Sequence, residues 1–332
     1  MRRIGKGRTL AMLAVTVVTA LTGCAGPGAG EIAATGAVRT VTDAEGTQVQ
    51  VPVSPQRVVT LSEPTLDGTL ALGITPIGTV TGRGQSGVPN YLSDRAASIP
   101  LLGGIGQPNF EAIGAARPDL ILVDGTSVNN NPPVIEALRE VAPVVVTGFA
   151  GGDWRDNLRN VAAALNRSTA GEETITAYET RVEQARAKLS GYAGKTFSVV
   201  RWQGSAPALI LKELPPGRLL TDLGLDRPDA QDTYGRGHSE PVSLENLEQI
   251  DADYMFFGTL GGSSVNNPDA GGSSDIAGAQ QALAAAEKVP GFTGLKAYTG
   301  DHVILVDGSA WTSTGGPLLM NRLIDDVLEA LA

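Results

Sequence analysis

The chain has 332 residues, of which 42% are hydrophobic and 18% charged, enough for a sizeable globular core or two. Its formal net charge is −10 with no basic stripe along the mature chain, which excludes nucleic acid as a partner and a charge-driven role at a membrane surface. A single cysteine leaves no disulfide to form.

In chain order, Arg2, Arg3, Lys6 and Arg8 precede the apolar run TLAMLAVTVVTAL, which is too short for a comfortable membrane span. Leu21-Thr22-Gly23-Cys24 follows. This arrangement resembles a bacterial lipoprotein signal, with residues 1–23 as the cleaved peptide and Cys24 as the lipidation site. A diacylglycerol thioether plus an N-acyl chain exceeds the single chain that anchors only marginally. The alternative is an ordinary signal peptide or uncleaved anchor with an incidental cysteine. Residues 24–37 read as a flexible tether.

From Val38 the pattern alternates around AEGT, predicting a β-hairpin. RVVTL is a buried strand, SEPTLDGTLALG a helix with Gly73 just past its end, and ITPIGTV a further short strand. A helix near Pro133–Val141 and the strand VVVT complete a first α/β lobe over 38–152, with a mainly parallel sheet. Residues 153–190 carry apolar positions at helical spacing, interrupted around Thr169–Gly171, and read as a connecting helix. A second alternating set over 191–332 holds FSVVRW, ALIL, a helix near Gly217–Leu223, HVILVDG and a last helix from Pro317 to Leu331. GGSSVNNPDAGGSSD reads as a surface loop.

One motif is written twice. PNFEAIGAARPDLILV and VSLENLEQIDADYMFF align without a gap, pairing Glu111 with Glu245, Ile113 with Leu247, Asp119 with Asp253 and Leu122 with Phe256. Asn109 and Ser243 are N-cap types, which places both glutamates at the second helical position. There each carboxylate complements a helix dipole.

The lipobox, the hairpin, QRVVTLSEPTLDGTLALGITPIG, NFEAIGAARPDLIL, the helical connector, VSLENLEQIDADYMFF and VILVDGSAWTSTGGPLLMNRLIDDVL together resemble the iron-siderophore substrate-binding lipoproteins of ABC importers, over residues 38 to 331. The resemblance implies two Rossmann-like lobes joined by one long helix, with ligand in the cleft between them. It also implies a lipid-anchored monomer on the outer face of the cell membrane, with an Fe(III)–siderophore complex as cargo and no resident cofactor. Glu111 and Glu245 fall where that family docks its permease, a role compatible with the dipole one.

A bulky anionic chelate needs fixed cations and flat apolar walls. Arg201 ends the strand FSVVRW at its C-terminal end, where α/β crevices bind ligands, and the family places a contacting arginine near there. Trp202 and Trp311 are candidate walls that core packing explains equally well. Arg83, in the glycine-rich TGRGQSG, is a candidate cation from the first lobe. Arg218, Tyr234 and Arg236 are further candidates that surface positions also explain.

No His/Cys cluster points to metal ligation by protein, and His302, opening a strand, reads as structural. Tyr234 with His238 keeps haem open as a ligand, and cobalamin importers use a related scaffold. An enzyme is the reading from another class. Against it, GGIGQPN lacks the third glycine of a dinucleotide fingerprint, and neither a G-x-S-x-G elbow nor a metal-hydrolase histidine motif occurs. A structural or adhesive lipoprotein is the third.

Overall fold

A computed structural model describes residues 36–125, 127–128, 131–149, 151–235, 239–262 and 272–332. Cys24, the signal segment, nearly all of the tether, Arg236 and His238 lie outside the described residues, as does the middle of the 261–275 loop.

β1 (Val38–Thr42) and β2 (Gln48–Pro52) form the expected antiparallel hairpin. Its turn is closed by Asp43, whose Oδ1 accepts from the backbone N–H groups of Glu45 and Thr47. Then follow β3 (Val58–Thr60), α1 (Glu63–Ala71), β4 (Thr79–Thr81), α2 (Ser93–Ala96), β5 (Leu101–Gly104), β6 (Gln107–Pro108), α3 (Phe110–Ala116), β7 (Leu120–Val123), α4 (Pro132–Arg139) and β8 (Val144–Val146). β3, β7 and β8 are parallel neighbours, and a bridge from Val59 to Gly78 links them to the small β4–β5–β6 sheet. Every residue of β3, β7 and β8 is buried, as expected of a parallel sheet covered on both faces.

The connector is two helices, α5 (Trp154–Ala164) and the 21-residue α6 (Ser168–Lys188). The break falls at Leu165–Arg167, with Asn166 in the left-handed region at φ 57°, rather than at Thr169–Gly171. Gly171 instead sits in the first turns of α6, where an added Cβ would stand 2.8 Å from the Ala162 Cβ of α5. The glycine therefore serves close helix packing, and the sequence pattern mistook that for a stop.

The second half contains β9 (Phe197–Gln203), β10 (Ala206–Ile210), α7 (Pro215–Leu223), β11 (Ser239–Pro241), β12 (Tyr254–Gly258), α8 (Ile276–Ala286), α9 (Lys296–Thr299), β13 (Val303–Leu305), α10 (Gly308–Trp311) and α11 (Pro317–Leu331). Its sheet runs β11–β10–β9–β12–β13 and is mixed, with β9, β12 and β13 parallel and β9–β10–β11 antiparallel. Among the described residues no strand of one half pairs with a strand of the other.

The repeated motif keeps its aspartates for one reason. Asp119 precedes β7, and its carboxylate accepts from the N–H groups of Gln56 and Arg57, just before the neighbouring β3. Asp253 precedes β12, and its carboxylate accepts from the N–H and hydroxyl of Thr196, just before the neighbouring β9. Each aspartate pins the start of the adjacent parallel strand. The helices differ: α3 is α-helical, whereas Leu244–Ile250 is a 3-10 helix kinked at Asn246.

The halves are tied by Asp67 of α1. Its Oδ1 accepts from Leu318 N–H and its Oδ2 from Leu319 N–H, both at 2.9 Å, and the Tyr91 hydroxyl donates to Oδ2 at 3.0 Å. Pro317 opens α11 and has no N–H, so Asp67 takes the next two donors of that helix's first turn. Gly316 makes room, since a Cβ there would meet Asp67 Oδ1 at 2.8 Å. Burial pushes the Asp67 carboxyl above its ordinary 3.8 to about 6, against the pull of the Leu318 and Leu319 N–H groups. That raised value makes its contribution to stability full below about pH 4 and lost as pH rises through about 6. Asp67→Ala is expected to cost about 2–4 kcal/mol, because two buried helix donors lose their acceptor. Gly316→Ala should destabilise by displacing the same carboxylate. Urea unfolding of both variants checks this; unchanged midpoints would show that the cap carries no stability.

Candidate functional site

β9 carries its residues alternately to two faces. Phe197 and Val199 pack with α6, α7 and α11, whereas Val200 and Trp202 pack on the opposite face with α8 and the 3-10 turn Phe292–Gly294. Arg201 shares the face of Phe197 and Val199 by the period-two rule. It lies beside Gly258 at the end of β12, at the C-terminal mouth of the parallel strands.

Arg201 is largely buried. Its guanidinium donates to Ser239 Oγ and, at 3.5 Å, to the Thr312 carbonyl, and its Nε is buried with no partner among the described residues. Burial lowers its pKa, and the positive charge of Arg83 lowers it further. Arg83 comes from the other lobe, in the loop after β4, where its N–H donates to Glu63 Oε1 at 2.8 Å. At Gly84 an added Cβ would meet the Leu260 carbonyl oxygen at 2.7 Å, so this loop lies directly against the second lobe. The charge of Arg83, from the first lobe, is thus felt at Arg201 in the second, whose Nε is a buried donor without a partner among the described residues.

Beyond the N-terminus of α1 the cleft continues as a cavity of about 270 Å³, lined from the first lobe by Pro64, Asp124 and Phe149 and from the second by Glu213, Arg218 and Thr314. Neither Arg83 nor Arg201 is among its lining residues. Arg218 does line it, but its guanidinium is already held, by Asp153 at 3.3 Å, the Gly151 carbonyl at 2.9 Å and the Glu213 carbonyl at 3.1 Å. The ring of Tyr234, which is 70% exposed, lies 5.9 Å from the Arg218 Cζ, so the structure brings these two candidates together.

Both tryptophans prove to be core. Trp202, 1% exposed, lies 6.0 Å from Phe257 and 5.5 Å from Phe292, centroid to centroid, on the face away from Arg201. Adjacent strand residues point to opposite faces, so Arg201 and Trp202 cannot both line one cleft. Trp311, fully buried, stacks on Phe256 at 4.2 Å and donates its Nε1–H to Asp326 Oδ2 at 2.8 Å, which uses both its face and its polar edge. His302 is structural as expected, stacked on Tyr254 with Nδ1 2.9 Å from the Asp253 carbonyl oxygen.

Sequence reasoning missed the apolar wall and the counter-charge. Phe149 is half exposed at the cavity, in a glycine-rich loop past β8 whose place at a strand mouth was the available signal. Glu63, in the first turn of α1, reads as an ordinary dipole partner but is buried beside Arg83 and Asp124. Glu111 and Glu245 are both exposed, with no ion-pair partner among the described residues, and each follows an exposed apolar residue, Phe110 and Leu244. Among the described residues no group of three or more His, Cys, Asp or Glu could hold a metal ion, and no helix is long and apolar enough to cross a membrane.

Residues 58–310 match the family model described as periplasmic binding protein. The probable siderophore-binding lipoprotein YfiY of Bacillus subtilis is 30% identical over 87% of this chain and 86% of its own length. The achromobactin-binding periplasmic protein of Dickeya dadantii is 26% identical over 82% and 85%. In fold, the chain resembles Staphylococcus aureus SirA complexed with staphyloferrin B, with a TM-score of 0.72 at 23% identity, covering 88% of this chain and 98% of that one. With its paired α/β lobes, its cleft at the strand mouths and a family match running through both, the chain belongs to the periplasmic binding protein family.

Proposed function

We propose that this protein captures an anionic ferric siderophore in the cleft and hands it to the permease of an ABC importer. The observation that carries the reading is the facing pair Arg83 and Arg201, one from each lobe, with the Arg201 Nε buried and unmatched. Arginine keeps its charge when desolvated and forks onto carboxylate or catecholate oxygens, so a polyanionic chelate bridging both lobes completes the site. Phe149 supplies an apolar wall in the cavity that Pro64 and Arg218 also line. The iron arrives already coordinated by its chelator, and the protein recognises the outer oxygens of the complex. Arg218 lines the cavity and Tyr234 lies against Arg218, as secondary contacts, and Arg236 follows Tyr234 by two residues in the sequence. The names of the relatives, which include binders of achromobactin, Fe(3+)-citrate and ferric enterobactin, support a siderophore as cargo. The family is one of binding proteins, and ligand is returned unchanged.

A thermal-shift and fluorescence-quenching panel tests this on protein starting after Cys24. At least one ferric siderophore is expected to bind at micromolar or tighter affinity, and Arg201→Ala or Arg83→Ala to weaken it about 10–100-fold, since a charge-assisted hydrogen bond is worth about 1.5–3 kcal/mol. Silence toward siderophores with a response to haem or cobalamin overturns the assignment.

The same proposal places the protein on the outer face of the membrane, held by lipid on Cys24. Cys24→Ala should move it from the membrane fraction to the soluble one with binding intact; unchanged fractionation would favour an uncleaved anchor. It also makes Glu111 and Glu245 the docking carboxylates, one per lobe, each exposed and clear of an ion pair among the described residues. Replacing both by alanine should leave siderophore affinity and stability within a few tenths of a kcal/mol while uptake in cells falls sharply. Normal transport by the double variant would remove this role.

A further inference from the structure

Glu63, the buried counter-charge beside Arg83, makes no contact with ligand in the site as described. It is the first residue of α1, 2% exposed, and reaches toward the loop after β4. Oε1 accepts the Arg83 N–H, while Oε2 is buried with no hydrogen-bond partner among the described residues. The charged and titratable groups that face it come from each element packed around it. They are Arg83 from the loop after β4, Asp124 at the end of β7 and Tyr91 from the 3-10 turn Asn90–Leu92. Asp67 lies one turn further along α1 itself. Arg201 faces the same loop from the second lobe, through Arg83.

A carboxylate in this position is an internal counter-charge of Arg83. Without ligand, its negative charge offsets part of that of Arg83, the charge that Arg201 faces from the second lobe. When a ligand anion seats against Arg83 and Arg201, the negative charge is supplied from outside, and a second, buried one becomes redundant. We propose that Glu63 takes up a proton from solvent as the anionic ligand binds, so that capture is proton-coupled; this rests on the reading of Arg83 and Arg201 as the anion site. The step is the conversion of the Glu63 carboxylate to the neutral acid by one proton, with no other bond made or broken.

The group is poised for it. Burial raises the Glu63 carboxyl from its ordinary range to about 7, opposed by Arg83 and reinforced by Asp124, so both forms are populated near neutrality. A bound anion raises it again. Affinity is therefore full below about pH 7 and falls as pH rises toward the higher value of the complex, by at most tenfold per pH unit for a single proton.

The test is calorimetric titration of the wild type, Glu63→Gln and Glu63→Asp with the ferric complexes of staphyloferrin B, achromobactin and citrate. It is run at pH 6.5 and 8 in buffers of different ionisation heat (conditions chosen to bracket a value of about 7). Any titration of the chelate itself is common to all three proteins and cancels in the comparison. The wild type is expected to take up a fraction of a proton and to bind several-fold more weakly at the higher pH. Glu63→Gln should bind at the higher pH as tightly as the wild type does at the lower one, with no proton uptake beyond the chelate's own. Glu63→Asp should restore part of the pH dependence. Equal proton uptake and equal pH slopes in the wild type and Glu63→Gln overturn the proposal. If instead Arg83→Ala and Arg201→Ala bind like the wild type, the anion site itself is misplaced. A ligand-free readout stands beside these. Unfolding of the wild type relative to Glu63→Gln should become easier as pH rises from about 4.5 to about 7, since a raised folded-state value loses its contribution over that window. A flat difference counts against Glu63 titrating there at all.

Discussion

The structure depends on one carboxylate serving a helix that is not its own. Asp67 is buried in the middle of α1, and its two oxygens take the first available N–H groups of α11 across the junction of the lobes. A helix start buried without acceptors would leave donors unpaired at a cost of about 1–3 kcal/mol each. Asp67 meets that need from the far side of the junction, so moving the lobes apart at this point means breaking a helix cap. The bonds nearby act in the same sense. Asn90 donates its N–H to Ser309 Oγ and its side-chain amide to Asp307, while Arg155 and Tyr178 of the connector both reach Asp222 of α7. These polar ties link the first lobe and the connector to the second half on both sides of the cleft.

Local contacts hold Arg83 and Arg201 where the charge of one acts on the other. Two like charges in a partly desolvated setting repel, and a flexible loop would relax away from the contact. Here the Arg83 loop is fixed by its N–H on Glu63 and by close approach to Leu260, while Arg201 is fixed by its strand register with Gly258 and by Ser239. In the proposed function an anion relieves that repulsion, and the buried Glu63 carboxylate behind Arg83 moderates the same charge.

The twin motif shows how one pattern can carry two kinds of information. Its aspartates are structural in both copies, each fastening the first residues of a neighbouring parallel strand. Its glutamates have no ion-pair partner among the described residues and stand exposed beside Phe110 and Leu244. The helices that carry them have diverged to an α-helix in one lobe and a kinked 3-10 helix in the other, while the register from glutamate to strand is kept. What has been held constant is a surface position, not a helix type.

The order of strands and helices was legible from the sequence because local signals fix each element. Alternation made the hairpin at Val38–Pro52, Ser62 capped α1 through Thr65, and Pro317 opened α11. The place of Arg201 at a strand mouth was also legible, since it ends an apolar strand, where it lies beside Gly258. Which face a residue takes, and what stands opposite, was decided only by tertiary packing. Trp202 follows Arg201 by one residue and points the other way, into the stack with Phe257 and Phe292, while Trp311 found Phe256 and Asp326. Glu63 and Asp67 look like ordinary polar residues of an α-helix until tertiary packing buries them, Glu63 against Arg83 and Asp124 and Asp67 against the start of α11. Local propensity determines which segments are helix or strand. Burial, the cost of unpaired charge and the pairing of groups far apart in the chain exist only once the lobes meet.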